Sequence, residues 1–146
     1  MDLLKYQRKR KFKKTPEPKG KVLKTKEHRF VVQEHHARHL HYDFRLEMEG
    51  VLKSWAIPKG LPEETGIKRL AVQVEDHPVG YIDFAGQIPE GLYGAGTVKI
   101  WDKGTYKLLS KSENQINFEL LGKKLKGQYT LIRFKPPKYW LLIKAK

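Results

Sequence analysis

From Arg29 onward, apolar and polar residues alternate in short runs with a period of two. FVVQE (30–34) is short and β-branched. HLHYDFRLEM (39–48) alternates throughout. VLKSWAI (51–57) follows Glu49-Gly50, which suits a two-residue hairpin turn. After the Pro/Gly-rich loop PKGLPEETG comes RLAVQVE (69–75). There Leu70, Val72 and Val74 form the expected core face, and Arg69, Ala71, Gln73 and Glu75 point the other way. GTVKIW, GTYKLLS, INFELLG, GQYTLIRF and YWLLIK continue the pattern. Turn residues at Asp102–Gly104, Ser112–Asn114, Gly122–Gly127 and Pro136-Pro137 separate them. About eight short strands at this spacing predict an all-β fold, a barrel or sandwich, with no long helix. Residues 1–28 differ. KYQRKRKFKK is basic with Tyr6 and Phe12 interleaved, and Pro16 and Pro18 break any helix. The expected organisation is an arm, 1–28, on a β domain, 29–146.

Charge sharpens that division. The chain carries a net +14, and residues 1–30 hold twelve Lys/Arg against three Asp/Glu, a net +9. A basic arm on a milder domain points to a polyanion, with nucleic acid ahead of a solvated tail. An anionic membrane surface is disfavoured, because the arm has no amphipathic helical stripe. No apolar run is long enough to span a bilayer, and no signal-peptide core is visible, so a cytoplasmic, nucleoid-associated protein is expected. The chain has no cysteine. That excludes disulfides and thiolate metal sites and leaves His, Asp and Glu as the available ligands.

Those ligands crowd into HHARHLHYDFRLE (35–47). On a strand, His39, His41, Asp43, Arg45 and Glu47 share one face, and Leu40, Tyr42, Phe44, Leu46 and Met48 form a core face. Same-face neighbours lie about 6.5–7 Å apart, so His41 and Asp43 can converge on one ion. His35 or His36 supplies a third ligand if the chain bends around Ala37. Imidazole with carboxylate suits Mn²⁺, Zn²⁺ or Fe²⁺. Arg45 stands next in the row, its planar fork matched to a phosphate. The bland alternative is a solvated histidine-rich face. His77, in EDHP, is a candidate general acid or phosphate donor, although a lone loop histidine is more often surface. Gly91, Gly94 and Gly96 lack the Gly-Lys-Ser/Thr of a phosphate loop and read as a tight turn or bulge entering a strand. Trp55, Trp101 and Trp140 read as core.

The runs FVVQEHHARHLHYDFRLEMEGVLKSWAIPKG, RLAVQVEDHPVGYIDFAGQIPEGLYGAGTVKIWDKG and YWLLIK resemble the 3′-phosphoesterase domain of bacterial DNA ligase D. The resemblance covers about Tyr6 to Lys144. It implies a compact, closed or partly open β-barrel with a groove. The implied activity removes a 3′-terminal ribonucleoside and then the remaining 3′-phosphate, leaving a 3′-OH on primer-template DNA. The implied metal is Mn²⁺, with Zn²⁺ or Co²⁺ as substitutes, held by His35, His41 and Asp43. Arg45, His77 and Tyr81 match phosphate-site positions. Arg69, Lys59, Gln33 and Glu75 match supporting positions, and in the arm Arg10 and Glu17 match positions the family uses. A DNA ligase and a polymerase or primase are the implied partners. The length leaves no room for their modules, so a stand-alone member is expected. One departure stands out: the family's arm reads Lys-Arg-Asp-Phe before TPEP, whereas Lys11 replaces the acid here. That reversal bears on ribonucleoside removal.

Two rivals use the same residues. One is an iron oxygenase, with His41, Asp43 and His77 as two-His-one-carboxylate ligands. The other is a non-catalytic nucleic-acid-binding module with a structural metal.

Overall fold

Alternation becomes nine antiparallel strands in the computed structural model, which describes residues 3–10, 12, 14–18 and 28–145. They are β1 (Arg29–His36), β2 (Leu40–Met48), β3 (Val51–Ile57), β4 (Lys68–His77), β5 (Gly86–Ile88), β6 (Gly96–Lys111), β7 (Gln115–Leu121), β8 (Lys126–Lys135) and β9 (Tyr139–Lys144). The order is β1-β2-β3-β4-β9-β8-β7-β6, and β6 pairs again with β1. The sheet is therefore a closed eight-stranded barrel, with β5 as an extra strand on β6. Among the described residues, helix is confined to one turn and a half, α1 (Leu4–Arg8), and a 3₁₀ turn at Val79–Asp83. No helix among the described residues is long and apolar enough to cross a membrane.

Two cores lie on opposite sides of the barrel wall. Inside, Phe30, Phe44, Leu46, Trp55, Phe118, Tyr129, Leu131 and Trp140 pack together, with Trp101 half-buried against them. Outside, Val31, Leu52 and Val98 from the wall meet Tyr6 of α1, Tyr81 and Ile82 of the 3₁₀ turn, and Ile88 of β5. This second, smaller core roofs one patch of the barrel's outer face. The described part of the arm is thus no solvated tail, because Tyr6 is fully buried.

Three local readings need correction. On β4 the inward residue is Ala71, fully buried, while Leu70 is exposed. Gln73 also faces inward and accepts a hydrogen bond from Trp140 Nε1. The inward positions are a small residue and a half-buried amide, because their strand neighbours Trp55 and Trp140 already fill the space beside them. Leu70 and Val72 are left on the outer wall, where apolarity signals no interior. Leu40, expected in the core, is exposed at the open end of β2. Finally, Asp102–Gly104 makes no turn. β6 runs through it unbroken as the strand passes from β1 to β7.

Asp102 instead closes a distant turn. Its Oδ1 accepts from the amides of Lys103 and Lys123, both at 2.9 Å, and its Oδ2 from Lys124 at 3.2 Å and Leu125 at 2.8 Å. Gly122 lies so close that a Cβ there would sit 2.4 Å from Asp102 Oδ2. Asp102→Ala leaves the buried Leu125 amide with no acceptor, whereas the part-buried lysine amides can turn to water, and a buried orphan costs about 1–3 kcal/mol. A loss of about 1–3 kcal/mol is expected in urea unfolding. A loss below about 1 kcal/mol would mean that water replaces the carboxylate.

Candidate metal and phosphate site

The β1–β2 register assembles the candidate ligands. His35 pairs with His41, and Gln33 pairs with Asp43. Paired residues share a face, so two imidazoles and a carboxylate meet on the roofed outer wall. Their ligand atoms lie within 4.8 Å of one another. Burial along the polar row of β2 rises from exposed His39 to fully buried Glu47 as the roof closes over it.

Hydrogen bonds fix which ring nitrogens face Asp43. His35 Nε2 lies 2.8 Å from the Gly94 carbonyl, and His41 Nδ1 lies 3.1 Å from the His39 carbonyl. A carbonyl only accepts, so both nitrogens carry the proton. His35 Nδ1 and His41 Nε2 are then left facing Asp43 Oδ2 and Oδ1, each at 3.3 Å. Lone pairs facing carboxylate oxygens repel unless a cation lies among them. Carbonyl-anchored imidazoles beside a carboxylate are what a divalent transition ion requires. Burial alone would raise the Asp43 carboxyl; His35 and His41 on its two oxygens, each able to donate once protonated, and the Arg45 charge hold it far below its ordinary range. His36 is excluded from this set: it turns away to Glu34 Oε1 at 2.5 Å.

Arg45 supplies the anion side. Its Nε donates to Gln33 Oε1 at 2.7 Å, and its Nη2 lies 3.6 Å from Asp43. Nη1 is buried with no hydrogen-bond partner among the described residues. Gln33 in turn donates to the carbonyls of Tyr81 and Phe84, tying Arg45 to the 3₁₀ turn. The guanidinium lies over the Tyr81 ring at 4.8 Å, and the Tyr81 hydroxyl donates to Glu17 at 2.7 Å. Burial raises that hydroxyl well above its ordinary range.

The arm completes the wall. Arg10 pairs with Glu17 at 3.1 Å and Glu75 at 3.2 Å, and its Nη2 reaches His77 Nε2 at 3.3 Å. His77 Nδ1 donates to the Glu75 carbonyl at 2.9 Å, so Nε2 is the accepting nitrogen. Burial first, then the charges of Arg45 and Arg10, hold the imidazole well below its ordinary value. His77 is therefore neutral at pH 7 and accepts rather than donates. An unfolded chain takes up a proton near pH 6.5 that the fold refuses. Stability is thus lost as pH falls below that value. In matched unfolding titrations, the advantage of wild type over His77→Gln should shrink by up to about 1.4 kcal/mol per pH unit below 6.5. A constant difference would show His77 to be protonated in the fold.

Of the twelve sequence candidates, nine line one cavity of about 300 Å³: His35, His41, Asp43, Arg45, His77, Tyr81, Glu75, Arg10 and Glu17. Gln33 sits behind Arg45. Two are not brought there. Arg69 pairs with Leu142 and shares the inward face of β4 with Ala71, opposite the face that lines the cavity. Lys59 is exposed in the loop after β3 and lines no part of it. Lys11 lies outside the described residues. The oxygenase arrangement with His77 does not form, since His35 joins His41 and Asp43 instead.

The turn expected at Gly91, Gly94 and Gly96 is present, but sequence reasoning missed the two of its residues that reach the site, Tyr93 and Gly94. Gly91 and Gly94 have φ of 84° and 76°, and Gly96 enters β6 where a Cβ would lie 2.3 Å from the His36 carbonyl. That close approach sets the turn against His35. The signal available was an aromatic among three glycines.

The family model described as the DNA Ligase D 3′-phosphoesterase domain matches residues 33–133. The chain is 48% identical over 155 residues to the multifunctional non-homologous end joining protein LigD of Pseudomonas aeruginosa, covering 99% of this chain and 18% of that protein. It is 48% identical over 137 residues to the multifunctional non-homologous end joining DNA repair protein LigD of Mycobacterium tuberculosis, covering 90% and 18%. For LigD of Mycolicibacterium smegmatis the identity is 47% over 154 residues, covering 97% and 20%. The chain spans about a fifth of the length of these curated relatives. With the matched segment running from Gln33 on β1 to Arg133 on β8, the chain belongs to the DNA ligase D 3′-phosphoesterase domain family.

Proposed function

We propose that this protein is a metal-dependent 3′-end-healing phosphoesterase. It removes a 3′-terminal ribonucleoside and then the 3′-phosphate, leaving a 3′-OH for repair synthesis or ligation. The observation that carries this reading is the pairing of two unlike groups in one cavity: imidazole nitrogens facing Asp43, and beside them a buried Arg45 Nη1 with no partner among the described residues. The first suits a cation and the second an anion, and a phosphate bound to a metal is both at once. The family's description and the end-joining names of its relatives favour the same substrate.

His35 Nδ1, His41 Nε2 and Asp43 would hold the ion, Mn²⁺ by preference, with Zn²⁺ or Co²⁺ as substitutes. Bound there, it would supply Lewis-acid polarisation of the phosphate. The protein's own groups do the rest. Arg45 donates its free Nη1 to an equatorial phosphate oxygen, where negative charge grows during displacement. Gln33 fixes the guanidinium plane. Neutral His77 offers Nε2 as acceptor to the attacking water or to a protonated phosphate oxygen, once Arg10 yields it. Arg10 then remains free to meet the anion. In the first step water adds to phosphorus and the bond to the terminal ribonucleoside's O5′ breaks. In the second, the bond to the retained nucleotide's O3′ breaks and inorganic phosphate leaves. One proton passes from water to the departing oxygen in each.

A primer-template bearing either a terminal ribonucleotide or a 3′-phosphate tests the reading. The expected result is Mn²⁺-dependent release of ribonucleoside and phosphate, abolished by chelation and restored by added metal. Tight binding with no release in Mn²⁺, Zn²⁺ or Co²⁺ would replace the enzyme with a binding module.

A further inference from the structure

Tyr93 is 47% exposed, yet three cavities meet on it. It lines the cavity above His41 and Asp43. It lines a small pocket of about 60 Å³ shared with Thr15 and Glu17. It also lines an open groove of about 760 Å³, formed by Val72, Val74 and Pro137 with Lys5, Lys9 and Lys138. The nearby rings of Tyr6 and Tyr81 are buried and committed to the roof. The turn that carries Tyr93 is held in place. The next residue, Gly94, accepts from His35 Nε2, and the Ala95 amide donates to the Leu92 carbonyl at 3.1 Å. Lys9 Nζ lies 3.4 Å from the Tyr93 hydroxyl and 4.7 Å from its ring centre. An exposed aromatic on a glycine turn is usually a poor fixed point. Here the ring of a candidate metal ligand sets its position.

We propose that Tyr93 is the stacking platform for the base of the last retained nucleotide, and that the open groove carries the strand upstream of it. The proposal rests on the 3′-end reading above. Space decides which nucleoside Tyr93 serves. A 60 Å³ pocket holds roughly two waters at about 30 Å³ each, so it takes no nucleoside. The groove is open, and it is large enough for a chain that continues. Its chemistry suits one as well. Lys5, Lys9 and Lys138 offer charge to phosphates, and Val72, Val74 and Pro137 offer apolar contact to sugars and bases. The groove's carboxylates are already paired, Glu75 with Lys9 and Arg10, and Asp76 with Lys53. Stacking on an aromatic face tolerates every base, as an enzyme acting on strand ends of any sequence requires.

The test compares 3′-phosphorylated strands that carry either a base or an abasic sugar at the last retained nucleotide. Wild type should show a KM about tenfold higher for the abasic strand, with the loss falling on KM rather than kcat. Tyr93→Ala should lose the distinction between the two strands, and Tyr93→Phe should restore it. A purely structural role for Tyr93 would lower kcat on both strands alike. The same two strands are titrated in parallel by fluorescence anisotropy, so the result does not depend on turnover. Absence of hydrolysis with base-dependent binding intact would sink the enzymatic reading and leave the platform standing. Full base discrimination by Tyr93→Ala, in KM or in anisotropy, overturns the proposal, as does its absence from wild type.

Discussion

His41→Ala and Asp43→Ala should each lower release of 3′-phosphate by about 10³-fold or more, since Lewis-acid stabilisation contributes several kcal/mol and each 1.36 kcal/mol is tenfold. The reason is geometric. The site offers three protein ligands and no fourth candidate among the described residues, so two survivors hold an ion poorly. Both variants should keep the fold, because the site lies outside the barrel core. Mn²⁺ titration followed by electron paramagnetic resonance reads the ligand loss directly. Near wild-type turnover by either variant at limiting metal would refute the ligand assignment. The site should also weaken in acid. The hydrogen bond to Asp43, opposed by burial and aided by the carboxylate's charge, raises His41 above its ordinary value of 6.5. Proton and metal compete for Nε2, so below that raised pKa the Mn²⁺ affinity should fall by about tenfold per pH unit. Affinity that is flat from pH 8 to 6 would exclude His41.

Arg45→Lys should cost about 10²–10³ in kcat, the range for removing one preorganised donor from a developing oxyanion. The substitution keeps the charge and removes the fork. A lysine cannot donate to Gln33, lean on Asp43, cover the Tyr81 ring and still present a free donor to phosphate. Mn²⁺ binding should persist, because Arg45 is no ligand. Inhibition by inorganic phosphate should weaken in parallel with kcat, which separates loss of the anion site from damage to the metal site. A loss below tenfold would move the phosphate elsewhere, with Arg10 the next candidate.

The strand pattern was most legible on β7, β8 and β9, where buried residues alternate with more exposed ones. The reading failed where both sides of the wall are covered. On β4, the residues beside the roofed patch are apolar on the outer face and small or amide-bearing within, so alternation pointed the wrong way. The unbroken β6 was cut at Gly104 because glycine in a strand usually marks a turn. Here a Cβ would sit 2.3 Å from the Leu121 carbonyl, and close approach of chains explains the residue. At the site, spacing alone placed His41, Asp43 and Arg45 together, since a strand's period is rigid. It could not choose between His35 and His36, because that choice depends on cross-strand register. Nothing in the pattern revealed that Arg10 and Glu17, far back in a basic arm, would be buried against His77 and Tyr81. Tyr93 was hidden by its neighbours, because the glycines around it read as no more than a tight turn entering a strand.

The hairpin that carries the candidate ligands has a kinetic meaning as well. His35 and His41 meet across strands joined by Ala37–His39 alone, whereas the barrel shuts only when Phe30 reaches Gly104. Short loops close far sooner than long ones. The imidazoles and Asp43 can therefore gather while the rest of the chain is still open, and His77 and the arm arrive later. Metal present during refolding should speed the early hairpin and leave the closure step at its own pace. A nascent chain would then acquire its cation-binding half before it has any surface able to grip a nucleic-acid end.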